Sequence, residues 1–318
     1  MRSTKSKTAP PVRTLDRQRS LARFKRQLPY QTMVIPGIIF LLIFSIYPLY
    51  GLVIAFKRYT VIDTIATAPW VGLENFKIIL KDKYFWDSVY NTLMISLLKL
   101  GIGFVVPIIL AVMIFELRPG PFKRIVQTIS YLPHFLSWII LGGMIITWLS
   151  TTGMLPQILV ELGILDEPVN YLLKKDAYWW IAVLSDIWKE AGWGTILYLA
   201  AMAGIDPSYY EAATIDGAGR FRRIFSITLP LIRHVISINL ILNIAGLLGS
   251  NLDQTMVLMN TQNRATAEVI NYYVYRMGMV QGDFSYATAV GLGISIISVI
   301  LLTISNKVTS KLNDESVF

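Results

Sequence analysis

The sequence predicts an all-α, polytopic membrane protein, on the strength of its composition and the grouping of its apolar residues. Of the 318 residues, 54% are hydrophobic and only 15% are charged, whereas soluble domains have about 45–50% apolar and about 25% charged residues. The apolar residues lie in blocks long enough for a helix to cross a hydrocarbon layer of about 30 Å. This pattern excludes an ordinary soluble enzyme.

Six blocks qualify as transmembrane helices. The fourth block contains Asp186, Lys189 and Glu190, and the fifth contains Asn239 and Asn243. Polar interruptions of this kind predict helices that face a bundle interior or an aqueous cavity, because charged and amide groups are costly against lipid. The six predicted spans are residues 32–56, 90–115, 125–150, 179–204, 231–249 and 286–306.

The distribution of basic residues predicts the orientation. Residues 1–31 form a basic tail with nine Lys or Arg residues against one acidic residue, Asp16. With this tail inside the cell, 17 of the 29 Lys and Arg residues fall in cytoplasmic segments and nine in external ones, as the positive-inside rule requires. Both termini, residues 1–31 and 307–318, are therefore predicted to be cytoplasmic. The net charge of +9 then indicates topology rather than nucleic-acid binding.

Several kinds of chemistry have no support in the sequence. There is no cysteine, which rules out thiolate metal sites and a cysteine nucleophile. His134 and His234 lie far apart without a metal-binding spacing. No GxxxxGK[ST] loop is present, so the chain cannot bind ATP in the P-loop manner. We expect no catalytic residue, no metal and no cofactor bound by this chain.

The charged residues of the fourth span have two interpretations. Asp186, Lys189 and Glu190 are spaced to lie on one side of a helix and to neutralise one another, which is consistent with a purely structural cluster. Alternatively, Lys189, Glu190 and Trp193 line a translocation cavity, where Trp offers a flat platform to a sugar ring and charged groups offer hydrogen bonds. The residue pattern favours neither interpretation.

Asn239 and Asn243 lie one turn apart on the fifth span. An amide offers both donors and an acceptor, which suits a hydroxyl-rich ligand in a translocation pathway. Amides also hydrogen-bond neighbouring transmembrane helices, and this structural role is the more common one.

The connection of residues 204–230 has helical signals of its own. Asp206 is suited to cap a helix that begins at Pro207, where the missing N–H is harmless. Residues spaced by three and four from Tyr209 onwards form a small, smooth face, and Gly217 allows the chain to turn. Pro230 marks the return to the membrane. The segment is either an interfacial amphipathic helix or a helix that docks into a partner.

The same connection resembles a known motif. Glu211-Ala212-Ala213, Asp216-Gly217-Ala218, Ile227 and Leu229-Pro230 are similar to the EAA loop of membrane subunits in binding-protein-dependent ABC importers. The flanking sequences resemble the carbohydrate-uptake branch, and within it the LplB-like group that includes alginate importer permeases. These flanks are Ile187-Trp188-Lys189, Tyr198-Leu199-Ala200-Ala201 and Ile205-Asp206-Pro207.

This resemblance implies a type I ABC importer transmembrane fold with cytoplasmic coupling helices. Its permease core would cover residues 87–306, after a first helix and external loop at residues 32–86. In such a fold the loop at residues 204–230 sits in a cleft of an ATP-binding subunit. Glu211 would then be the charged contact, and Asp216 with Gly217 would shape the turn between two short helices.

The resemblance also implies an assembly in the cytoplasmic (inner) membrane of a prokaryote. A second homologous permease subunit would complete the pathway, two ATP-binding subunits would hold ATP and Mg, and a solute-binding protein would deliver a carbohydrate, with an acidic polysaccharide such as alginate as one candidate. An ion-coupled secondary transporter is the alternative. It would need an internal inverted repeat, which the sequence does not show, and a membrane-embedded enzyme would need a clustered catalytic set.

Overall fold

A computed structural model describes Gln27 and residues 30–249 and 252–313, with side chains up to residue 308. The described chain is almost entirely helical, and its one β contact is an isolated bridge between Lys57 and Trp70. It divides into two units, residues 1–53 and residues 54–318. In the first unit the described segment is an apolar helix with exposed side chains such as Phe40 and Phe44, as expected for a surface that meets lipid.

The helices follow one another along the chain, with longer connections at residues 57–73 and 162–177. They are α1 (Tyr30–Phe56), α2 (Glu74–Lys81), α3 (Lys83–Phe115), α4 (Pro121–Tyr131), α5 (Trp138–Leu149), α6 (Met154–Glu161), α7 (Tyr178–Ala203), α8 (Pro207–Ile215), α9 (Arg220–Leu231), α10 (Arg233–Ala245), α11 (Leu252–Leu258), α12 (Arg264–Ala267), α13 (Ile270–Tyr275) and α14 (Phe284–Asn313).

The number of uniformly apolar spans is smaller than the six predicted. By length and composition, four described helical segments can cross a membrane: Tyr30–Phe56, Lys83–Phe115, Trp138–Glu161 and Phe284–Val308. The bent pair α9 and α10 makes a fifth if it is counted as one span. Helix α7 matches the predicted fourth span in position, but three charged residues in its middle set it apart from the others. Such a helix needs protein neighbours to cover its charges.

The predicted third span, residues 125–150, is not one helix. Helix α4 ends at Tyr131, and a 3₁₀ turn at Leu132–Phe135 separates it from α5. Pro133 causes the break because it lacks a backbone N–H and clashes with the preceding turn. Ser137 then caps α5 by accepting a hydrogen bond from the Ile140 N–H.

The predicted fifth span, residues 231–249, is also shorter and bent. Its regular helix is α10, residues 233–245, which meets α9 at an angle of 63°. The bend falls at Ile232, whose backbone leaves the helical region. The chain therefore changes direction where it leaves the 204–230 connection.

Helix α7 lies at the centre of the second unit. One cluster of buried side chains joins it to α3, α5 and α11, and includes Ile95, Leu141, Val183 and Leu258. The contact with α4 is closest at Gly192, where an added Cβ would clash with the Ser130 backbone carbonyl. Small residues permit such close approach between membrane helices, which gain little from burial of apolar surface.

Candidate functional site

Helix α8 begins and ends at the residues that the sequence indicates. The Asp206 carboxylate accepts a hydrogen bond of 2.9 Å from the Ser208 N–H, with Pro207 in the first helical position. This bond is the leading cause of the lowered pKa of the Asp206 carboxyl. At the other end Gly217 adopts a φ of 73°, and the Ala218 N–H donates to the Ala213 carbonyl at 2.8 Å. This left-handed closure is a Schellman motif, which Gly permits without strain.

Most of the α8 surface is exposed. Tyr209, Glu211, Ala212 and Asp216 are accessible, and Ile215 is 86% exposed. Two other residues of the motif, Ala213 and Ala218, are half-buried, and Pro230 is exposed on α9. An exposed face of small and apolar residues beside a carboxylate is suited to contact with another protein.

Three polar contacts fasten this loop to the membrane helices and to itself. Arg220 donates to the Glu116 carboxylate at 2.7 Å and to the Glu116 backbone carbonyl at 3.1 Å. The hydroxyls of Tyr210 and Thr228 lie 3.0 Å apart. Because Glu116 directly follows α3, the loop is attached to that helix by an ion pair. Sequence reasoning missed Glu116, since nothing local links two residues 104 positions apart.

A cavity of about 380 Å³ lies between α3, α7 and α10. Its walls combine aromatic, amide and charged side chains with small residues, the mixture typical of a site for a polar organic ligand. Its polar and aromatic lining residues include Lys99, Asp186, Glu190, Trp193, Tyr198, Asn239 and Asn243. Four of the five residues considered for the pathway thus lie on one cavity, and Lys189 is the exception.

Lys189 points away from this cavity. It is only 6% exposed, and its ammonium donates to the His134 carbonyl at 2.7 Å and to the Glu190 carboxylate at 2.8 Å. Asp186 pairs instead with Lys99 of α3, at 3.1 Å. The expected cluster within the fourth span is therefore split, because Lys99 supplies a partner from a different helix.

The two asparagines are both hydrogen-bonded and both on the cavity wall. Asn239 donates to the Tyr198 hydroxyl at 2.6 Å, which joins α10 to α7. Asn243 donates to the Asn239 carbonyl at 2.8 Å. The geometry therefore accommodates both of their interpretations, since each amide keeps further hydrogen-bonding capacity next to the cavity.

Two further residues organise the cavity wall. His134 Nδ1 lies 2.6 Å from the Glu190 carboxylate, and Gln254 accepts a hydrogen bond of 3.1 Å from Lys99. Sequence reasoning considered His134 only as a metal ligand and did not foresee its contact with Glu190. Among the residues that the structure describes, no group of three His, Asp or Glu side chains could hold a metal ion.

Comparison with known proteins agrees with this architecture. Residues 103–312 match the family model described as "Binding-protein-dependent transport system inner membrane component". The chain is 39% identical to the polygalacturonan/rhamnogalacturonan transport system permease protein YteP of Bacillus subtilis (strain 168), over 95% of this chain and 94% of that protein. It is 40% identical to Protein LplB of the same strain, over 94% and 93% of the two chains.

Solved structures give the same result. A chain of a bacterial ABC transporter involved in the import of the acidic polysaccharide alginate superposes with a TM-score of 0.85 at 34% identity, covering 93% of this chain and 99% of that one. A second structure of a bacterial alginate ABC transporter, in complex with an alginate pentasaccharide-bound periplasmic protein, gives a TM-score of 0.85 at 35% identity. The chain is therefore a member of the family of inner membrane permease components of binding-protein-dependent ABC transport systems.

Proposed function

We propose that this chain forms half of the translocation pathway of an ATP-driven importer for an oligo- or polysaccharide. A second permease subunit forms the other half, two ATP-binding subunits hold ATP and Mg, and a solute-binding protein delivers the saccharide. The observation that carries this proposal is the exposed helix α8, which the Gly217 turn and the Arg220–Glu116 pair hold at the end of α3 and α7. An ion-coupled transporter has no use for such a surface.

Glu211 is the proposed contact with an ATP-binding subunit. Its carboxylate is exposed on α8, beside the small side chains of Ala212, Ala213 and Ala218, which permit a close approach. Asp216 and Gly217 shape the turn, and Pro230 starts the bent entry into α10. A force applied at α8 then reaches two helices that line the cavity.

The cavity is the proposed saccharide path. Trp193 supplies an apolar surface for a sugar ring, and Asn239, Asn243 and Glu190 supply donors and acceptors for hydroxyls. Lys189 contributes indirectly, by neutralising Glu190. The saccharide class is supported by the names of the similar proteins, which concern polygalacturonan, rhamnogalacturonan and alginate. An acidic polysaccharide is accordingly one candidate substrate.

The proposed orientation places both termini and α8 in the cytoplasm. It rests on the excess of Lys and Arg in the tail and within the segments of residues 116–124 and 204–230. The segment of residues 252–285 then faces the solute-binding protein on the other side. ATP should therefore drive transport only from the face that carries α8.

Reversing the charge of Glu211 tests the proposal. In proteoliposomes that hold the complete transporter, Glu211→Lys should lower ATP-driven uptake at least about tenfold, because an unfavourable contact of ~1.4 kcal/mol at the docking face suffices for that factor. The variant should still insert and assemble with the second permease subunit. Uptake and ATPase stimulation by the loaded solute-binding protein are measured together.

A matched control reverses another exposed carboxylate. Glu161→Lys on α6 changes the net charge equally but lies outside the proposed docking face. It should transport at the wild-type rate. Wild-type uptake and wild-type ATPase stimulation in Glu211→Lys would contradict the role of α8.

A further inference from the structure

His134 stands at the break between two helices and reaches a third. It belongs to the 3₁₀ turn Leu132–Phe135, which Pro133 imposes between α4 and α5. A residue in such a turn can present both its ring and its backbone carbonyl to a neighbour, because that carbonyl is not committed to a continuous helix. The neighbour here is α7, whose residues line the cavity.

Three residues of α7 contact His134 at once. The His134 carbonyl accepts a hydrogen bond of 2.7 Å from Lys189, and its Nδ1 lies 2.6 Å from the Glu190 carboxylate. Its ring stacks on the indole of Trp193, with the ring centres 4.4 Å apart and the planes within 5°. Phe135 meets the same indole edge-on, at 5.7 Å.

The backbone next to His134 is held firmly against α7. Gly192 lies so close to the Ser130 carbonyl that any side chain at position 192 would clash with it. Ser130 and His134 are four residues apart and Gly192 and Trp193 are adjacent, so this contact sets the distance from which the His134 ring reaches the indole.

Glu190 and Trp193 both line the cavity, whereas His134 and Lys189 do not. His134 therefore supports the cavity wall from behind. It covers one face of the indole, which leaves the other face as the surface on which a flat ligand ring can stack. Together with Lys189 it also holds the Glu190 carboxylate in a defined direction.

We propose that His134 is a positioning residue for saccharide recognition, which fixes the Trp193 indole and the Glu190 carboxylate in the orientation that the transported sugar meets. The proposal rests on the saccharide function proposed above. It assigns the ring of His134 two separable tasks, stacking on Trp193 and hydrogen bonding to Glu190. Replacements that keep one task and remove the other distinguish them.

The first experiment follows the Trp193 ring without any ligand. The complete transporter is labelled with 5-fluorotryptophan, and the ¹⁹F resonance of Trp193 is identified as the one that Trp193→Phe removes. His134→Ala should shift and broaden this resonance, because the ring that confines the indole is lost. His134→Phe should preserve a single narrow line, because a stacking ring remains.

The second experiment measures uptake in proteoliposomes, with pentasaccharides of alginate and of galacturonan as probes. His134→Ala should raise the KM about five- to tenfold, a factor in the range of one weakened stacking or hydrogen-bonding contact. The maximal rate at saturation should change by less than about twofold. His134→Phe and His134→Gln should each give an intermediate KM, because each retains one of the two contacts.

The other histidine of the chain provides the control. His234→Ala removes a histidine from α10 and should leave both the Trp193 resonance and the KM unchanged. A Trp193 resonance that is identical in wild type and His134→Ala would overturn the proposal, as would an unchanged KM. If the wild type takes up neither probe, the saccharide proposal fails for these sugars, and the resonance alone decides the role of His134.

Discussion

Asp82 is a single carboxylate that joins distant parts of the chain. It caps α3 by accepting a hydrogen bond of 2.8 Å from the Tyr84 N–H. It also accepts hydrogen bonds from the hydroxyls of Tyr273, at 2.5 Å, and Tyr286, at 3.0 Å. These tyrosines lie more than 190 positions further along the chain. Asp82 thereby fixes the segment around α13 to the start of α3 and to α14.

These hydrogen bonds favour the ionised form of the Asp82 carboxyl. Burial opposes the charged form of Asp82, but the hydrogen bonds from Tyr273, Tyr286 and the backbone outweigh it and hold the pKa of the carboxyl below its usual value. The pKa of Tyr273 is raised, because burial and the neighbouring carboxylate both disfavour its anion. A lowered carboxyl pKa stabilises the fold above the unfolded-state pKa of about 3.9, and this stabilisation is lost as the pH falls through the folded value.

Asp82→Asn should therefore destabilise the protein at pH 7 by about 1.5–3 kcal/mol, the usual contribution of hydrogen bonds to a charged group. The difference in thermal unfolding temperature from the wild type should shrink as the pH falls from about 4 through the lowered pKa of the folded protein, because the wild-type carboxylate is then protonated as well. This difference is measured by thermal unfolding of the purified chain in detergent across this pH range. Asp87→Asn, at an exposed carboxylate of the same helix, is the control, and a difference that stays constant with pH would refute the role given to Asp82.

Long-range pairings of this kind mark the limit of prediction from the sequence at the residue scale. The cap at Asp206 and the turn at Gly217 depend on neighbours within a few positions, and both were predictable. For Lys189 the sequence allows either a structural cluster or a place on the cavity, because the residue is charged and lies on the same helix as Glu190. Its true direction depends on the carbonyl of His134, 55 positions away, and no local pattern contains that information.

At the scale of elements, the feature of interest is the attachment of the 204–230 loop to α3. Arg220 follows the turn at Gly217 and reaches Glu116 at the end of α3, the helix that also supplies Lys99 to the cavity. The side chain of Arg220 is 61% exposed and that of Glu116 is 18% exposed. Because Arg220 is exposed, solvent screens the pair and limits its contribution to stability, so its main effect is expected on the transmission of movement from the loop.

Reversing Glu116 tests this transmission. Glu116→Arg should lower the uptake per ATP hydrolysed by about threefold, a factor that corresponds to ~0.7 kcal/mol, while the unfolding temperature changes little. The double variant Glu116→Arg with Arg220→Glu should recover most of the loss, because it restores an opposite pair with its direction reversed. Uptake and ATP hydrolysis are measured in the same proteoliposomes. If the double variant shows no more uptake per ATP hydrolysed than the single variant, the Arg220–Glu116 pair does not transmit movement from the loop to α3.

The helices differ in how far the sequence determines them. Helices α3, α7 and α14 were predictable because their apolar blocks are long and contain no proline that breaks them. In the third span Pro133 itself indicates a kink or a helix start, but the apolar block continues through Pro133 although the helix does not, so the division into two helices is hidden. The bend at Ile232 escaped prediction, since no glycine or proline stands at that position. Both breaks lie next to a proposed functional element. The break at Pro133 positions His134, and the bend at Ile232 follows the loop of residues 204–230.

At the scale of the whole molecule, the chain is a permease component of a binding-protein-dependent transport system, and we propose that other subunits supply its energy. Its composition reflects membrane spans, one of its cavities is lined by charged and amide side chains, and its sequence has no P-loop. Under the proposed function, transport depends on other subunits that bind ATP on the face of α8 and deliver the substrate on the opposite face. If the chain were instead an ion-coupled transporter, it would transport its substrate without these other subunits.

Reconstitution into proteoliposomes tests whether transport depends on the other subunits and on ATP. Proteoliposomes are prepared with this chain alone, and with this chain together with the second permease subunit, the ATP-binding subunits and the solute-binding protein. Saccharide uptake should occur only in the complete set and only with ATP on the α8 face. Uptake by this chain alone, without ATP, would contradict the account.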